Sequence, residues 1–287
     1  PSIALAGFRF FPSPNNNFFY CRNIRFHNGP TSSDYLRIGD DSHLENCRFD
    51  GVSHVGVYFS NASTMTCCSF ENVDLSGTGN YAIRATGSTT IRACRIKGSF
   101  ASNARGIWVR NEYQAVKCLV HQTNAAAGDL VYLDRPATVE SCSLFSEGGT
   151  GRGIHADGSL VDGGQIVGNI IEGFTGTNGR FILADSGSVV GIYRGNRFYN
   201  ANLTASVADT VFDPSDNVTL TESPFTNPTG DDFSLKDLSD VKGSGYPGQI
   251  GSSFDSDAQT DYIDSGAINR QESGGGGSSV HGGGTHS

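Results

Sequence analysis

The chain has 287 residues, and its 20 Lys and Arg against 29 Asp and Glu give a formal net charge of −9. Because nucleic-acid affinity comes mainly from basic side chains that neutralise phosphates, this composition argues against a nucleic-acid partner. The chain also lacks any run of 18 apolar residues, which argues against a membrane-spanning helix.

Residues 1–22 form an aromatic-rich lead-in, with Phe or Tyr at positions 8, 10, 11 and 18–20 and turn-forming Pro and Asn between them. We predict that this segment is an N-terminal cap or an incomplete first coil, since the end of a stacked fold otherwise exposes unpaired strand edges. The first residue is Pro1 rather than Met, so we expect an upstream segment to have been cleaved or left out.

Residues 23–230 carry a repeat: an apolar residue, two others, Cys or Asn, one residue, and an apolar residue. We call the Cys or Asn the anchor; including a weaker first copy, the anchors are Ile24, Cys47, Cys68, Cys94, Cys118, Cys142, Asn169 and Asn196. A period near 24 residues indicates stacked units, because one unit cannot bury its apolar face alone. A leucine-rich repeat has a similar period, but here Leu is sparse and no long helical period is seen. The sequence therefore predicts an all-β, right-handed parallel β-helix of about eight coils.

Five of the seven cysteines occupy the anchor position, which predicts one inward column with neighbours about 4.8 Å apart. Disulfides between adjacent coils are geometrically possible, but a whole column cannot pair neatly, and Cys is a favoured small buried residue. We therefore expect Cys47, Cys68, Cys94, Cys118 and Cys142 to be free thiols. Close Cys or His pairs with metal-ligand spacing are lacking, so we expect no metal and no cofactor.

Each unit also has a second short apolar run, whose first and third residues should face the core and whose middle residue should face outward. The predicted outward column is Arg37, Tyr58, Arg84, Trp108, Tyr132, His155 and Leu183. Alternating Arg and aromatic side chains can stack as cation–π pairs, and the first six residues of this column suit sugar rings or a protein partner. The alternative is ordinary cross-strand stacking without a ligand. We expect Trp108 and Tyr132 to be exposed beside Arg84.

Carboxylates follow three of these runs, at Asp134, Asp157 and Asp185, in nearly the same register. A glycoside hydrolase needs two carboxylates on neighbouring coils, so these residues are candidate acids. The alternative, which we favour, is that Asp and Asn occupy a turn column for backbone reasons, because they tolerate positive φ and bond their own backbone. A tight calcium-binding acidic set, as a lyase requires, is not evident.

The period weakens after Asn200. We assign residues 231–272 to a closing segment and 273–287 to a Gly-rich tail, which has little apolar surface to offset its ordering entropy. Our hypothesis is that this tail lies against a neighbouring subunit of an assembly.

The closing segment carries Asp232-Phe-Ser-Leu235, then Gly243-Ser-Gly245-Tyr-Pro-Gly248, then Asp261-Tyr-Ile-Asp264-Ser-Gly-Ala-Ile268. This succession resembles the end of many bacterial and phage-associated right-handed β-helix proteins, with Ser265 where that motif usually has Ile. The resemblance covers roughly 40 residues and implies the fold. It also implies a surface-exposed or virion location, because such proteins are often surface or virion parts.

Together these features predict a non-enzymatic structural or adhesive component of a virion, as a tail, fibre or surface protein, or of a bacterial surface assembly. The expected partners are other protein subunits and glycans, and the expected location is extracellular, on a cell surface or in a virion. The alternative is a polysaccharide lyase or glycoside hydrolase that uses Asp134, Asp157 or Asp185.

Overall fold

The fold was analysed in a computed structural model of the chain. It describes residues 2–4, 19–28, 34–39, 41–60, 62–77, 79–110, 113–157, 164–185, 189–201, 209–210, 216–236 and 241. The predicted cap at 1–22 lies mostly outside these residues. The Gly-rich tail, its expected subunit contact and the closing segment beyond 241 lie wholly outside them.

Three parallel sheets account for almost all strands of the described residues. Sheet A contains β1 (Ser2–Ala4), β3 (Arg25–His27), β6 (Arg48–Asp50), β9 (Ser69–Leu75), β12 (Arg95–Phe100), β15 (Leu119–Gln122), β18 (Ser143–Ser146), β21 (Ile170–Glu172), β24 (Arg197–Tyr199) and β26 (Val218–Thr219). Sheet B contains β4 (Asp34–Ile38), β7 (Val55–Phe59), β10 (Tyr81–Ala85), β13 (Arg105–Val109), β16 (Asp129–Leu133), β19 (Arg152–Ala156) and β22 (Arg180–Ala184). Sheet C contains β2 (Tyr20–Arg22), β5 (Ser42–Glu45), β8 (Ser63–Thr66), β11 (Thr89–Arg92), β14 (Tyr113–Val116), β17 (Ala137–Glu140), β20 (Gly164–Val167), β23 (Val189–Arg194) and β25 (Asp209–Thr210).

The chain visits the sheets in the repeating order C, A, B, and each strand pairs with its counterpart one coil away. The seven strands of sheet B in the described residues correspond to about seven turns of a β-solenoid. The predicted all-β parallel β-helix is therefore confirmed, with about seven turns rather than eight. Among the described residues, no helix has the length and apolar character needed to cross a membrane.

The interior is a single apolar column enclosed by the three sheets. In sheet B the predicted inward residues are buried, as in Leu36 and Ile38 or Ile107 and Val109, each at most 1% exposed. Sheet A contributes a stack of aromatic rings, with centroids 4.9 Å apart for Phe26 and Phe49 and 4.6 Å apart for Phe49 and Phe70. Burial of each Phe side chain stabilises the fold by roughly 1.5–3 kcal/mol. The stacked rings therefore hold successive coils together.

The turn between sheets C and A explains why the anchor side chain points into the core. The residue before each anchor has positive φ, as at Asn46 (50°), Lys117 (53°) and Gly195 (67°). This left-handed residue turns the chain sharply and directs the anchor side chain inward. By contrast, Asp134, Asp157 and Asp185 are not among the positive-φ residues. Positive φ therefore does not explain the three aspartates, and the left-handed corner lies between sheets C and A instead.

All seven cysteines are free, and the five at anchor positions are buried, as predicted. The thiols of Cys47, Cys94, Cys118 and Cys142 approach carbonyl oxygens of the coil before, as in Cys118 Sγ to Ile91 O at 3.5 Å. Burial raises the pKa of Cys94 and Cys142, so these thiols stay protonated and unreactive.

The C-terminal end of the described chain forms an antiparallel hairpin of β27 (Phe225–Asn227) and β28 (Asp232–Leu235), joined by a 3-10 turn at Pro228–Gly230. The strand Asp232–Leu235 is the first of the motifs on which the resemblance depends. Phe225, Phe233 and Leu235 pack with Phe145 and Ile170 in a second apolar cluster. The hairpin thus covers the outer face of part of sheet A.

Candidate functional site

The predicted outward residues of sheet B lie in one column. Strand pairing places Arg37 beside Tyr58, Tyr58 beside Arg84, and so on through Trp108, Tyr132, His155 and Leu183. Since parallel strands are about 4.8 Å apart, the six candidate binding residues form a continuous ladder along the stack. We call this set, with the residues that contact it on the same face, the sheet B ladder.

Guanidinium groups cover the aromatic faces in the first half of the ladder. The Arg37 Cζ atom lies 4.9 Å from the centroid of the Tyr58 ring. Arg84 Cζ lies 5.5 Å from the same ring and 3.9 Å from the centroid of Trp108. Arg84 is therefore placed between a tyrosine and the only tryptophan of the chain. Each such contact contributes about 0.5–1 kcal/mol where it is exposed.

Arg105 belongs to the same stack, although alternation along the strand did not identify it. Its Cζ atom lies 4.2 Å from the Trp108 centroid and 3.5 Å from that of Tyr132. The reason is a break in the alternation of β13: both Gly106 and Ile107 are buried, so Arg105 and Trp108 share the outer face. A Cβ on Gly106 would meet the side chain of Val120 at 2.9 Å, inside the core.

The same break recurs in neighbouring strands. Ala82 in β10 and Leu130 in β16 are fully buried at the position equivalent to Gly106. Consequently the first residues of these strands, Tyr81 and Asp129, lie in register with Arg105. The outer face of sheet B therefore carries two columns of side chains instead of one. The signal for this in the sequence is a small or apolar residue at the second position of the strand.

Exposure along the ladder differs from what we predicted. Trp108 is half-buried, while Tyr132 and His155 are only 5% and 8% exposed. Arg105 covers the Tyr132 ring, and the hydroxyl of Tyr132 donates a hydrogen bond to Asp157 Oδ2. The expectation that Tyr132 is exposed is therefore wrong, because contacts from neighbouring coils cover it.

The second half of the ladder is an acidic cluster around His155. The imidazole Nδ1 lies 2.9 Å from Asp129 Oδ2, and Nε2 lies 3.1 Å from Asp185 Oδ2. Arg152 Nη1 is 3.2 Å from the other oxygen of Asp129. Burial alone would lower the pKa of His155, but the two carboxylates more than offset this effect and raise it. The imidazole is therefore held by a carboxylate on each side.

The three candidate catalytic carboxylates follow sheet B in register. The backbone N–H groups of Asp134, Asp157 and Asp185 donate to Val109 O, Leu133 O and Ala156 O, so these residues stand on successive coils. Asp157 accepts the bond from Tyr132, and Asp185 accepts the bond from His155. Each of these two carboxylates thus uses one oxygen in a hydrogen bond to a side chain of the neighbouring coil.

Asp134 differs from its neighbours in its surroundings. Burial raises its pKa; the indole N–H of Trp108 and the charges of Arg110 and Arg84 act in the opposite direction. Arg110 Nε lies 3.6 Å from Asp134 Oδ2. Asp134 Oδ1 and Trp108 Nε1 are both buried, and neither has a partner in hydrogen-bond geometry among the residues that the structure describes. Among the described residues, no group of three or more His, Cys, Asp or Glu side chains is arranged to hold a metal ion.

A separate cleft of about 500 Å³ lies between the C-terminal hairpin and sheet A. Its lining includes Glu147, Glu172, Ser223 and Lys236. Glu172 is 5% exposed and accepts a hydrogen bond of 2.9 Å from Ser223 Oγ. Burial raises the pKa of Glu172 to about 7, with Ser223 and Lys236 acting in the opposite direction. Sequence reasoning missed this site because the hairpin approaches sheet A only in the folded chain.

No protein-family model and no curated protein matches this sequence.

Proposed function

We propose that this chain is a non-enzymatic structural and adhesive component of a virion or of a bacterial surface assembly, and that it binds its target through the sheet B ladder. The observation that carries the proposal is the continuous row of Arg and aromatic side chains from Arg37 to Tyr132, stacked at 3.5–5.5 Å. Trp, Tyr and Arg are the residues most enriched at binding hot spots. A rigid solenoid presents them in fixed positions, which lowers the entropy lost on binding.

Other features of the molecule support a structural role. Hydrogen bonds between coils run along the described stack, so many repeated contacts hold the solenoid in one shape. The closing segment 231–272, with its resemblance to β-helix surface proteins, and the Gly-rich tail 273–287 fit a chain that is joined to other subunits. Location on a virion or cell surface follows as part of the same proposal.

The test is retention of the intact chain on a panel of immobilised glycans and on bacterial surfaces. We expect binding that Trp108→Ala weakens by about 2 kcal/mol, roughly 30-fold in Kd. Tyr20→Ala is the matched control, because Tyr20 is an exposed aromatic residue of sheet C, 50% accessible and outside the ladder. Equal losses in the two variants, or no retention of the parent chain on any surface, would contradict the proposal.

A second candidate function, a polysaccharide lyase or glycoside hydrolase at Asp134, Asp157 and Asp185, is favoured by one observation. Asp134 has a raised pKa and an unpartnered buried oxygen beside Trp108, as a proton donor in catalysis would. Release of reducing ends from a bound polysaccharide, lost in Asp134→Asn, would support this candidate over the adhesive one.

A further inference from the structure

Three arginines of the ladder lack the ion pair that arginine usually finds in an acidic protein. Among the described residues, no carboxylate oxygen lies within 4.0 Å of a guanidinium nitrogen of Arg37, Arg84 or Arg105. Elsewhere on the same face, Arg110 and Arg152 do pair, with Asp134 and Asp129. In addition, the Nε atoms of Arg84 and Arg105 are buried and meet no hydrogen-bond partner in the described part of the chain, whereas their Nη atoms are not among the buried unpartnered atoms. The hydrogen-bonding capacity of these three cations is therefore largely unused.

The aromatic rings of the ladder do not offer free faces to a ligand. The Tyr58 ring is contacted by Arg37 and Arg84, and the Trp108 ring by Arg84 and Arg105. Tyr132 meets Trp108 edge to face, with centroids 5.7 Å apart. A sugar ring or a nucleic-acid base would have to displace these guanidiniums before it could stack. The rings instead hold the guanidinium planes, and the part of Arg84 and Arg105 that remains available to a ligand is the Nη end.

We propose that the part of the sheet B ladder from Arg37 to Tyr132 binds an acidic polysaccharide, whose carboxylate or sulfate groups accept hydrogen bonds from Arg37, Arg84 and Arg105. This inference rests on the proposed adhesive function and names its ligand class. A planar guanidinium binds a carboxylate through two parallel hydrogen bonds, and a guanidinium already held by stacking loses little freedom in doing so. Arg37 and Arg84 are two strands apart, about 9.6 Å by the usual strand spacing, so a linear polymer can reach both.

The surroundings favour a polysaccharide over a protein or nucleic acid. Protein interfaces have an apolar centre, but the exposed large apolar residues of the described chain, Tyr20 and Val218, lie outside sheet B. A nucleic acid is disfavoured because its backbone carries about one charge per 1.7 Å of duplex, and neutralising it takes many more basic side chains than the three arginines of the ladder. A polymer with one acidic group on each of a few sugar units needs only a narrow cationic strip, which the ladder supplies.

The acidic cluster limits the site at one end. Beyond Tyr132 the ladder continues into His155, whose two nitrogens are already bound to Asp129 and Asp185. Carboxylates at Asp157 and Asp185 would repel an anionic ligand there. The bound polymer should therefore extend from Tyr132 toward the N-terminal coils.

The experiment compares alginate with carboxyl-reduced alginate, which has the same backbone without the charges. Binding to the full chain is followed by the fluorescence of Trp108, the only tryptophan, and by calorimetry. We expect alginate to bind at least tenfold more tightly than the reduced polymer, with an affinity that falls as salt rises. Sulfated and carboxylated polymers tested side by side then distinguish the two kinds of acidic group.

Variants locate the contact. Arg84→Gln should weaken alginate binding at least tenfold, and Arg84→Lys should lose part of this affinity, because an ammonium keeps the charge but not the planar pair of donors. Arg48→Gln is the control: it removes the same charge from sheet A, where Arg48 lies 3.5 Å from Asp50. Thermal unfolding of each variant verifies that the fold is retained, and Arg105→Gln repeats the test at a second position.

The outcomes separate this inference from the adhesive function. Equal binding of both polymers, lost in Trp108→Ala, would overturn the acidic ligand and leave the adhesive proposal standing. Alginate binding that Arg84→Gln and Arg105→Gln leave unchanged would also overturn it. Retention of a protein alone, with no binding of either polymer, would replace the polysaccharide by a protein partner.

Discussion

The corner column of the solenoid is occupied by cysteines in the N-terminal coils and by asparagines in the C-terminal coils. The two halves connect successive coils at this corner through different side-chain chemistry. In both, the side chain at the corner meets a carbonyl of the coil before. Cys142 Sγ lies 3.4 Å from Ala115 O, and Asn169 Nδ2 donates to Val139 O at 3.0 Å. The thiol is a weak hydrogen-bond donor and the amide a strong one. The asparagine side chain therefore stabilises the corner more than the cysteine contact of the same geometry does.

The asparagines also accept hydrogen bonds, which ties successive coils to one another. Asn169 N–H donates to Asn196 Oδ1 at 3.1 Å, and Asn196 N–H donates to Asn217 Oδ1 at 2.9 Å. The side-chain amides continue the series, with Asn169 Nδ2 2.9 Å from Asn196 Oδ1. Asn217 extends the anchor column by one coil beyond the copies visible in the sequence. The comparison shows that the cysteine half depends on packing and the asparagine half on a polar network.

The largest effect should come from a charge placed in the cysteine half. Cys94 is fully buried, and Cys94→Asp would put an ionised or unsatisfied carboxyl there, with a loss of about 4 kcal/mol or more in the free energy of unfolding. We expect an unfolded or aggregated product by circular dichroism. A cooperative unfolding transition close to that of the parent would show that the corner is more accessible to water than its burial indicates.

The second-largest loss of stability should come from removal of one side-chain amide from the asparagine half. Asn196→Ala leaves the N–H of Asn169 and the carbonyl of Ile166 without their partners, at roughly 1–3 kcal/mol for each buried group. We expect a loss of about 3 kcal/mol in urea unfolding. Cys118→Ala is the matched change in the other half and should cost about 1 kcal/mol, because it removes packing and only a weak thiol donor. Equal losses would mean that the amide network adds nothing beyond packing.

A pH dependence should distinguish the C-terminal region as well. The folded pKa of Glu172 is about 7, above its ordinary value of 4.5, so the folded state binds the proton more tightly than the unfolded state. The resulting stability is fully present below about pH 4.5 and is lost as pH rises to 7, by about 3 kcal/mol. Glu172→Gln should flatten the fall in Tm between pH 5 and 8. An unchanged pH profile in this variant would show that Glu172 does not titrate in that range.

The smallest effect should come from extension of the amide network into the cysteine half. Cys142→Asn introduces a residue of similar volume, which can donate to Ala115 O as the thiol does. It can also accept from the N–H of Cys118, as Asn169 accepts from Cys142 at 2.8 Å. We expect a change within about 1 kcal/mol of the parent in chemical unfolding. A loss of several kcal/mol would mean that the two halves differ in backbone spacing and not only in side-chain chemistry.

The sequence by itself determined the β-helix, the inward cysteine column and the outward column of sheet B, because all three follow from a side chain's position within a short repeat. It did not reveal Arg105 beside Trp108, since two consecutive inward residues break the alternation and only the packed core determines which way Gly106 faces. It also did not reveal the bonds of His155 to Asp129 and Asp185, which come from the coils before and after, 26 and 30 residues away. Nor did it reveal the burial of Glu172 under the hairpin.

These features depend on register between coils and on a segment that returns over the outer face of sheet A. Tertiary contacts decided them, because side-chain alternation is local whereas ion pairs, burial and raised pKa values depend on which distant groups come close.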